Sequence, residues 1–100
     1  MKLRQLAHSR TGDKGDIVNI SVVAFDERDY ARLAAQVTVT RVREVYAGVV
    51  RGEIDRYEVP SIAALNFVLH DALDGGVTRS LRLDPHGKTL GSLLLDLEIV

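Results

Sequence analysis

The stretch Ser9-Arg10-Thr11-Gly12-Asp13-Lys14-Gly15-Asp16-Ile17-Val18-Asn19 concentrates the residues of this chain that could do chemistry. Two glycines, two carboxylates and two cations run directly into a strongly apolar segment. Glycines at 12 and 15 allow positive φ and inward-pointing N–H groups, the geometry of an anion nest. Arg10 and Lys14 could close such a nest on a phosphate or carboxylate. Asp13, Asp16 and Asn19 are hard oxygen donors of the kind Mg²⁺ or Ca²⁺ takes, but the EF-hand spacing is absent. The P-loop and dinucleotide fingerprints are not matched either. A hairpin whose Asp and Lys side chains bond its own backbone accounts for the same residues. On spacing alone this hairpin ranks first, an anion site second and a cation site last. No resident metal or cofactor is therefore expected.

Other candidates lie further along. His8 falls beside the charged stretch and is the preferred acid/base candidate. His70 follows Asn66 by four positions and precedes Asp71, so it could act as a general base beside a carboxylate. A histidine in that setting more often caps a buried polar contact. His86 lies in a turn and is read as solvated. Arg79 and Arg82 follow Gly75-Gly76 on a predicted strand. They could bind a carboxylate or phosphate bidentately, or pair with the acidic residues around Asp55 and Glu58. No Ser-His-Asp order or His-Glu-x-x-His helix is present, so the residues alone do not decide whether the chain is an enzyme.

Composition narrows the classes. One hundred residues suit one modest domain, 1–100, and 46% apolar content is ordinary for a globular chain. With no cysteine, disulfides and thiol chemistry are excluded. A net charge of −1 without a basic stripe argues against nucleic acid as a partner. No apolar run is long enough for a membrane span. Met1 to Ala7 lacks the apolar core of a signal peptide, and a cytoplasmic location is expected. A domain this small, without disulfides, is also expected to gain from self-association.

The elements that would position these residues follow from periodicity. Lys2 to His8 is read as a strand, and Ile17 to Phe25 as a central strand with Val18, Ile20, Val22 and Ala24 on one apolar face. A short glycine loop makes the pair a hairpin. Asp26 suits a helix N-cap with Asp29 in the first turn, and Tyr30, Leu33, Ala34 and Val37 form a helical stripe. Thr38 or Thr40 opens a second helix carrying Val42, Val45, Tyr46 and Val49, which Gly48 is placed to end. Val49 to Val59 reads as a polar edge strand with Gly52 at a bulge or entry turn. Pro60-Ser61 then opens a predicted helix from Ile62 to Leu73, with Phe67 exposed among Asn66, His70 and Asp71. Val77 to Leu83 alternates as a strand, and Asp84-Pro85-His86-Gly87 signals a type I turn. The final segment fits a helix with an extended end.

Three groups of residues resemble one known family. Ser9-Arg10-Thr11-Gly12-Asp13-Lys14-Gly15-Asp16 with Asn19-Ile20 resembles the opening of the small AtuA-like domain of acyclic terpene utilisation proteins. Ala64-Leu65-Asn66-Phe67, Leu73-Asp74-Gly75-Gly76 and Thr78-Arg79-Ser80-Leu81-Arg82 are similar to its second signature. Gly87-Lys88-Thr89-Leu90 is similar to its last. The resemblance spans nearly the whole chain. It implies an α+β, ferredoxin-like two-layer sandwich with a mostly antiparallel sheet and helices on one face. It also implies bacterial origin and association with a larger AtuA-type protein and acyl-CoA carboxylase-type partners. The expectation that follows is an accessory domain in terpenoid or branched-chain acyl-CoA catabolism. The alternative is an enzyme or binding module. Its acyl-CoA or organic-acid site would draw on the Gly12–Asp16 loop, Arg79 and Arg82, with Arg10, Asn19 and Asn66 grouped by the same pattern.

Overall fold

Alternating burial along the chain sets the architecture of this protein, described by a computed structural model at residues 1–15, 17–72 and 88–100. β1 (Ala7–Lys14) and β2 (Ile17–Ala24) form a long hairpin with Lys14 paired to Ile17 at its closed end. Gly15 takes φ +64°, the left-handed value that such tight hairpin turns need. The strands are thus longer than the sequence suggests. The charged stretch is strand over Ser9–Lys14, and Leu3–Gln5 before it is a single 3₁₀ turn rather than the start of β1. Ser9 and Thr11 look polar, yet their side lies in register with Val22 and Ile20 of the core face, and cross-strand pairing overrides local composition.

Asp26 accepts the Arg28 N–H at 2.9 Å and opens a 3₁₀ turn that leads into α1 (Tyr30–Gln36). The Arg28 guanidinium bonded to Asp26 holds the Asp26 carboxyl well below the usual range, at about 2. Leu33 and Val37 are fully buried on the expected stripe, with Tyr30 and Ala34 packed beside them. Thr38 caps α2 (Val39–Val45), whose Val42 and Tyr46 are also fully buried. Gly48, at φ +83°, ends the helical stretch. The chain returns through Val49 and Val50, both hydrogen-bonded to the Tyr46 carbonyl, so β3 begins later than expected, at Ile54–Val59.

The predicted helix from Ile62 to Leu73 is overturned. Pro60–Ile62 forms one 3₁₀ turn, Ala63 sits at φ +53° and breaks any helical continuation, and β4 (Ala64–Leu69) follows. Leu65, Phe67 and Leu69 point into the core while Asn66 and Val68 face away. Phe67 is therefore fully buried rather than exposed on a polar sector. Short apolar runs satisfy helical and strand spacing together, and the central position of β4, paired on both sides, decides for strand.

The sheet order is β1-β2-β4-β3, antiparallel throughout. β2 and β3 run parallel with β4 between them, joined through α1 and α2, which is the split βαβ unit of a ferredoxin-like sandwich. β1 adds to the β2 edge. α3 (Lys88–Leu94) lies against β1, where a Cβ on Gly91 would come within 2.6 Å of Thr11 Oγ1 and 2.8 Å of Ser9 Oγ. The extended end after α3 pairs with the N-terminus through the Lys2–Glu98 bridge and the Leu3 N–H to Leu97 carbonyl bond at 2.8 Å. Arg56, on the core side of β3, donates to the Val37 and Ala34 carbonyls at 3.1 and 2.6 Å and so satisfies the C-terminal end of α1. The expected strand Val77–Leu83, the turn at Asp84–Gly87 and the helix stop at Gly75-Gly76 lie outside the described residues.

Burial pushes the Tyr46 hydroxyl far above its ordinary value, with a backbone hydrogen bond to Leu94 offsetting part of the shift. A tyrosine whose folded-state value is raised contributes stability below its unfolded value of about 10, and that contribution is lost as pH rises beyond it. Stability is therefore expected to fall above pH ~10 by up to about 1.4 kcal/mol per unit from this group. Tyr46→Phe, which cannot ionise, should flatten that limb in urea unfolding between neutral and alkaline pH. Equal slopes for both chains would refute the assignment.

Candidate functional site: the open sheet face

The helices cover one face of the sheet, and among the described residues no helix packs on the other. Alternation places His8, Arg10, Gly12 and Lys14 of β1 on this open face with Ile17, Asn19, Ser21 and Val23 of β2. Register adds Asn66 and Val68 of β4 and Asp55, Tyr57 and Val59 of β3. One row crosses all four strands: Arg10 opposite Ser21, Ser21 opposite Asn66, Asn66 opposite Tyr57. The next row is Gly12, Asn19, Val68 and Asp55.

The centre of the face is a neutral hydrogen-bonded cluster. Asn66 Nδ2 donates to Asn19 Oδ1 at 2.6 Å and to Ser21 Oγ at 2.8 Å. Around it stand apolar groups in water: Phe25 is 64% exposed, Tyr57 53% and Ile17 37%. His8 stacks on Phe25 with ring centroids 5.6 Å apart. His70, just beyond β4, places Nε2 2.8 Å from Asp55 Oδ2. Its carboxylate partner is thus Asp55 across the sheet, and the expected helical relation of His70 to Asn66 and Asp71 is replaced by strand geometry.

His70 is held where it is by an irregularity in the ladder. Its N–H bonds the Glu53 carbonyl at 2.9 Å while its own carbonyl accepts from Gly52 N–H at 2.9 Å, so two residues oppose one, the pattern of a β-bulge. The bulge or entry turn foreseen at Gly52 is found there. A Cβ at Gly52 would lie 2.6 Å from the His70 carbonyl oxygen, so only glycine fits.

The anion nest is only half realised. Gly15 has positive φ, but Gly12 lies in extended strand and cannot join it in a nest. What Gly12 supplies is space: nothing lies within 4 Å of where its Cβ would be. Arg10 and Lys14 flank this gap, two positions away on either side and on the same face. A shallow hollow of about 280 Å³ is lined by Gly12, Asp13, Lys14, Ile17 and Asn19. Asp13 belongs to the opposite register set, facing Val18. A larger cleft of about 530 Å³ runs between β1 and α3, lined by His8, Ser9, Arg10, Thr11, Ser92 and Leu95. Among the described residues no three His, Asp or Glu side chains converge as a metal site would require. Asp16, Arg79 and Arg82 lie outside the described residues.

The structure therefore gathers Arg10, Gly12, Lys14, Asn19, Asn66, His8 and His70 on one surface, which spacing alone did not connect. Sequence reasoning missed Ser21, Asp55, Tyr57 and Phe25 as members. Ser21 was legible in the mixed face of β2, whereas Asp55 and Tyr57 enter only through the register of β3 on β4.

Among the described residues, a four-stranded antiparallel sheet with helices on one side, a split βαβ unit and an exposed polar row define a ferredoxin-like α+β protein. The model of the AtuA ferredoxin-like domain family matches residues 1–100, and the chain belongs to that family. No curated protein and no solved structure matches it.

Proposed function

We propose that this chain is an accessory or subunit domain that associates with a larger AtuA-type protein in bacterial terpenoid or branched-chain acyl-CoA catabolism, in the cytoplasm. The open sheet face carries this reading. Its polar centre is satisfied internally, and Phe25, Tyr57 and Ile17 remain in water around it. An apolar rim around paired polar groups is the make-up of a surface that assembles with protein. Membership of the AtuA ferredoxin-like domain family supports a larger partner of the AtuA type. Co-expression of the chain, tagged, with an AtuA-type protein from the same bacterium tests it. A stoichiometric complex that survives gel filtration is expected. Two folded proteins that elute apart at every concentration would remove the reading.

Arg10 and Lys14 around the Gly12 gap favour a second reading, an acyl-CoA or organic-acid site whose anionic end they would hold. In it Asn19 and Asn66 line the site, Arg79 and Arg82 add cations, and His8 or His70 serves as acid or base. Titration with CoA thioesters should then shift the Gly12, Gly15 and Asn19 amide resonances. Unmoved resonances would sink it.

A further inference from the structure

The charge pattern of the open face specifies its occupant. The β1 side carries the cations Arg10 and Lys14, and the β3 side carries the carboxylate Asp55, held at 2.8 Å by His70 Nε2, with the neutral Asn66 cluster between them. A second copy of the same face can be laid over it with a two-fold axis in the interface plane. Across the strands, such an axis sets β1 over β1 and cations over cations. Along the strands, between β2 and β4, it sets β1 over the second copy's β3 and leaves each cross-strand row over itself. Only the second arrangement matches charge.

The pairings that follow are specific. Gly12 shares a row with Asp55, so the second copy's Asp55 enters the gap left by the missing Gly12 side chain, between Arg10 and Lys14. Arg10 shares a row with Tyr57, so its guanidinium meets the second copy's exposed phenol ring, a cation–π geometry. Ser21 and Asn66 of the two copies face each other at the centre. Sheet twist turns the stacked rows by roughly 30°, so the register is tightest at this central row.

We infer that the open face pairs with a second copy of this chain about a two-fold axis along the strands, with Asp55 of each copy seated over Gly12 of the other. The inference rests on reading this face as a docking surface, and it names the partner there. A sheet of this size offers roughly 450 Å² of planar area, below the about 800 Å² per partner of standard interfaces. The dimer is accordingly weak and concentration-dependent, so a larger AtuA-type protein that docks on the same face displaces the second copy.

Sedimentation equilibrium over a concentration series tests this directly. Asp55→Lys should weaken self-association by about tenfold or more, and Asp55→Lys with Lys14→Glu should recover most of it. Circular dichroism and thermal melts check that these substitutions, one at the half-buried Asp55, leave the chain folded. Because the chain has no cysteine, Gly12→Cys and Asp55→Cys report geometry. A short bis-maleimide should couple the two variants when mixed and couple neither to itself. Gly12→Cys chains linking to one another would place the axis across the strands and overturn the inference, as would a chain monomeric throughout. A monomer whose Tyr57→Lys variant loses the larger AtuA-type protein would overturn the second copy but leave the docking reading. A dimer of the stated geometry that never captures that protein would leave this inference standing and remove the proposed function.

Discussion

Phe67→Ala is expected to destabilise the domain by about 3–5 kcal/mol, whereas Val68→Ala, one residue on, should cost well under half of that. Phe67 has no exposed surface and sits on the core side of a strand paired on both edges. Its removal takes a ring out of contact with β2 and β3 neighbours that cannot close the void. Val68 points to the open face and is only partly covered. For a 100-residue domain, where 1 kcal/mol moves the melting temperature by about 4–8 °C, Phe67→Ala should melt well over 10 °C lower. Urea unfolding gives the free energies directly. The contrast between neighbours is what discriminates. On a helix, positions 67 and 68 would lie about 100° apart, and the Ile62–Leu73 helix has Phe67 as the exposed member. Equal losses at both positions, or a larger one at Val68, would contradict β4 and its register.

That same segment marks the boundary of what the sequence makes legible. α1 and α2 are legible because each shows water one face, so Tyr30, Leu33, Ala34 and Val37 recur at the helical period, and Asp26, Thr38 and Gly48 mark the ends. The β1–β2 hairpin is legible in outline from Gly15 and the alternation of β2. β4 is not, because its pairing with β2 and β3 is a non-local fact. Without that pairing, Ile62, Leu65, Leu69 and Ala72 fit a helical stripe as well as a strand. The site behaves the same way. Arg10, Gly12, Lys14 and Asn19 stand out by charge, polarity and glycine content, which local sequence carries. The hydrogen bonds from Asn66 to Asn19 and Ser21, and the contact of His70 with Asp55, depend on register between strands far apart in the chain. The change in Gly12, from nest to gap, has the same origin. Pairing with Asn19 holds it extended, so its missing side chain matters more than its freedom to turn.

Gly52→Ala should be the most costly single-methyl addition on the β3 side of the molecule, at about 2–3 kcal/mol. The added Cβ would fall 2.6 Å from the His70 carbonyl oxygen, 2.8 Å from its carbonyl carbon and 2.9 Å from its Cβ. Two of these atoms are backbone, and that backbone is tied down by the Gly52–His70 and His70–Glu53 hydrogen bonds, so relief requires the bulge to open. Opening it moves His70, and with it the contact to Asp55 on the open face. The substitution therefore has two readouts. Thermal or urea unfolding reports the packing cost. The His70 ring resonances should at the same time move towards those of an Asp55→Asn chain, in which the carboxylate partner is gone. A Gly52→Ala chain that unfolds within about 0.5 kcal/mol of the parent, the range of unremarkable surface changes, would mean that the strand can shift there freely. The bulge would then not be what holds His70 against Asp55. Should both effects appear, one glycine outside the charged stretch sets the placement of a histidine hydrogen-bonded to Asp55 on the face where Arg10, Lys14 and Asn66 converge.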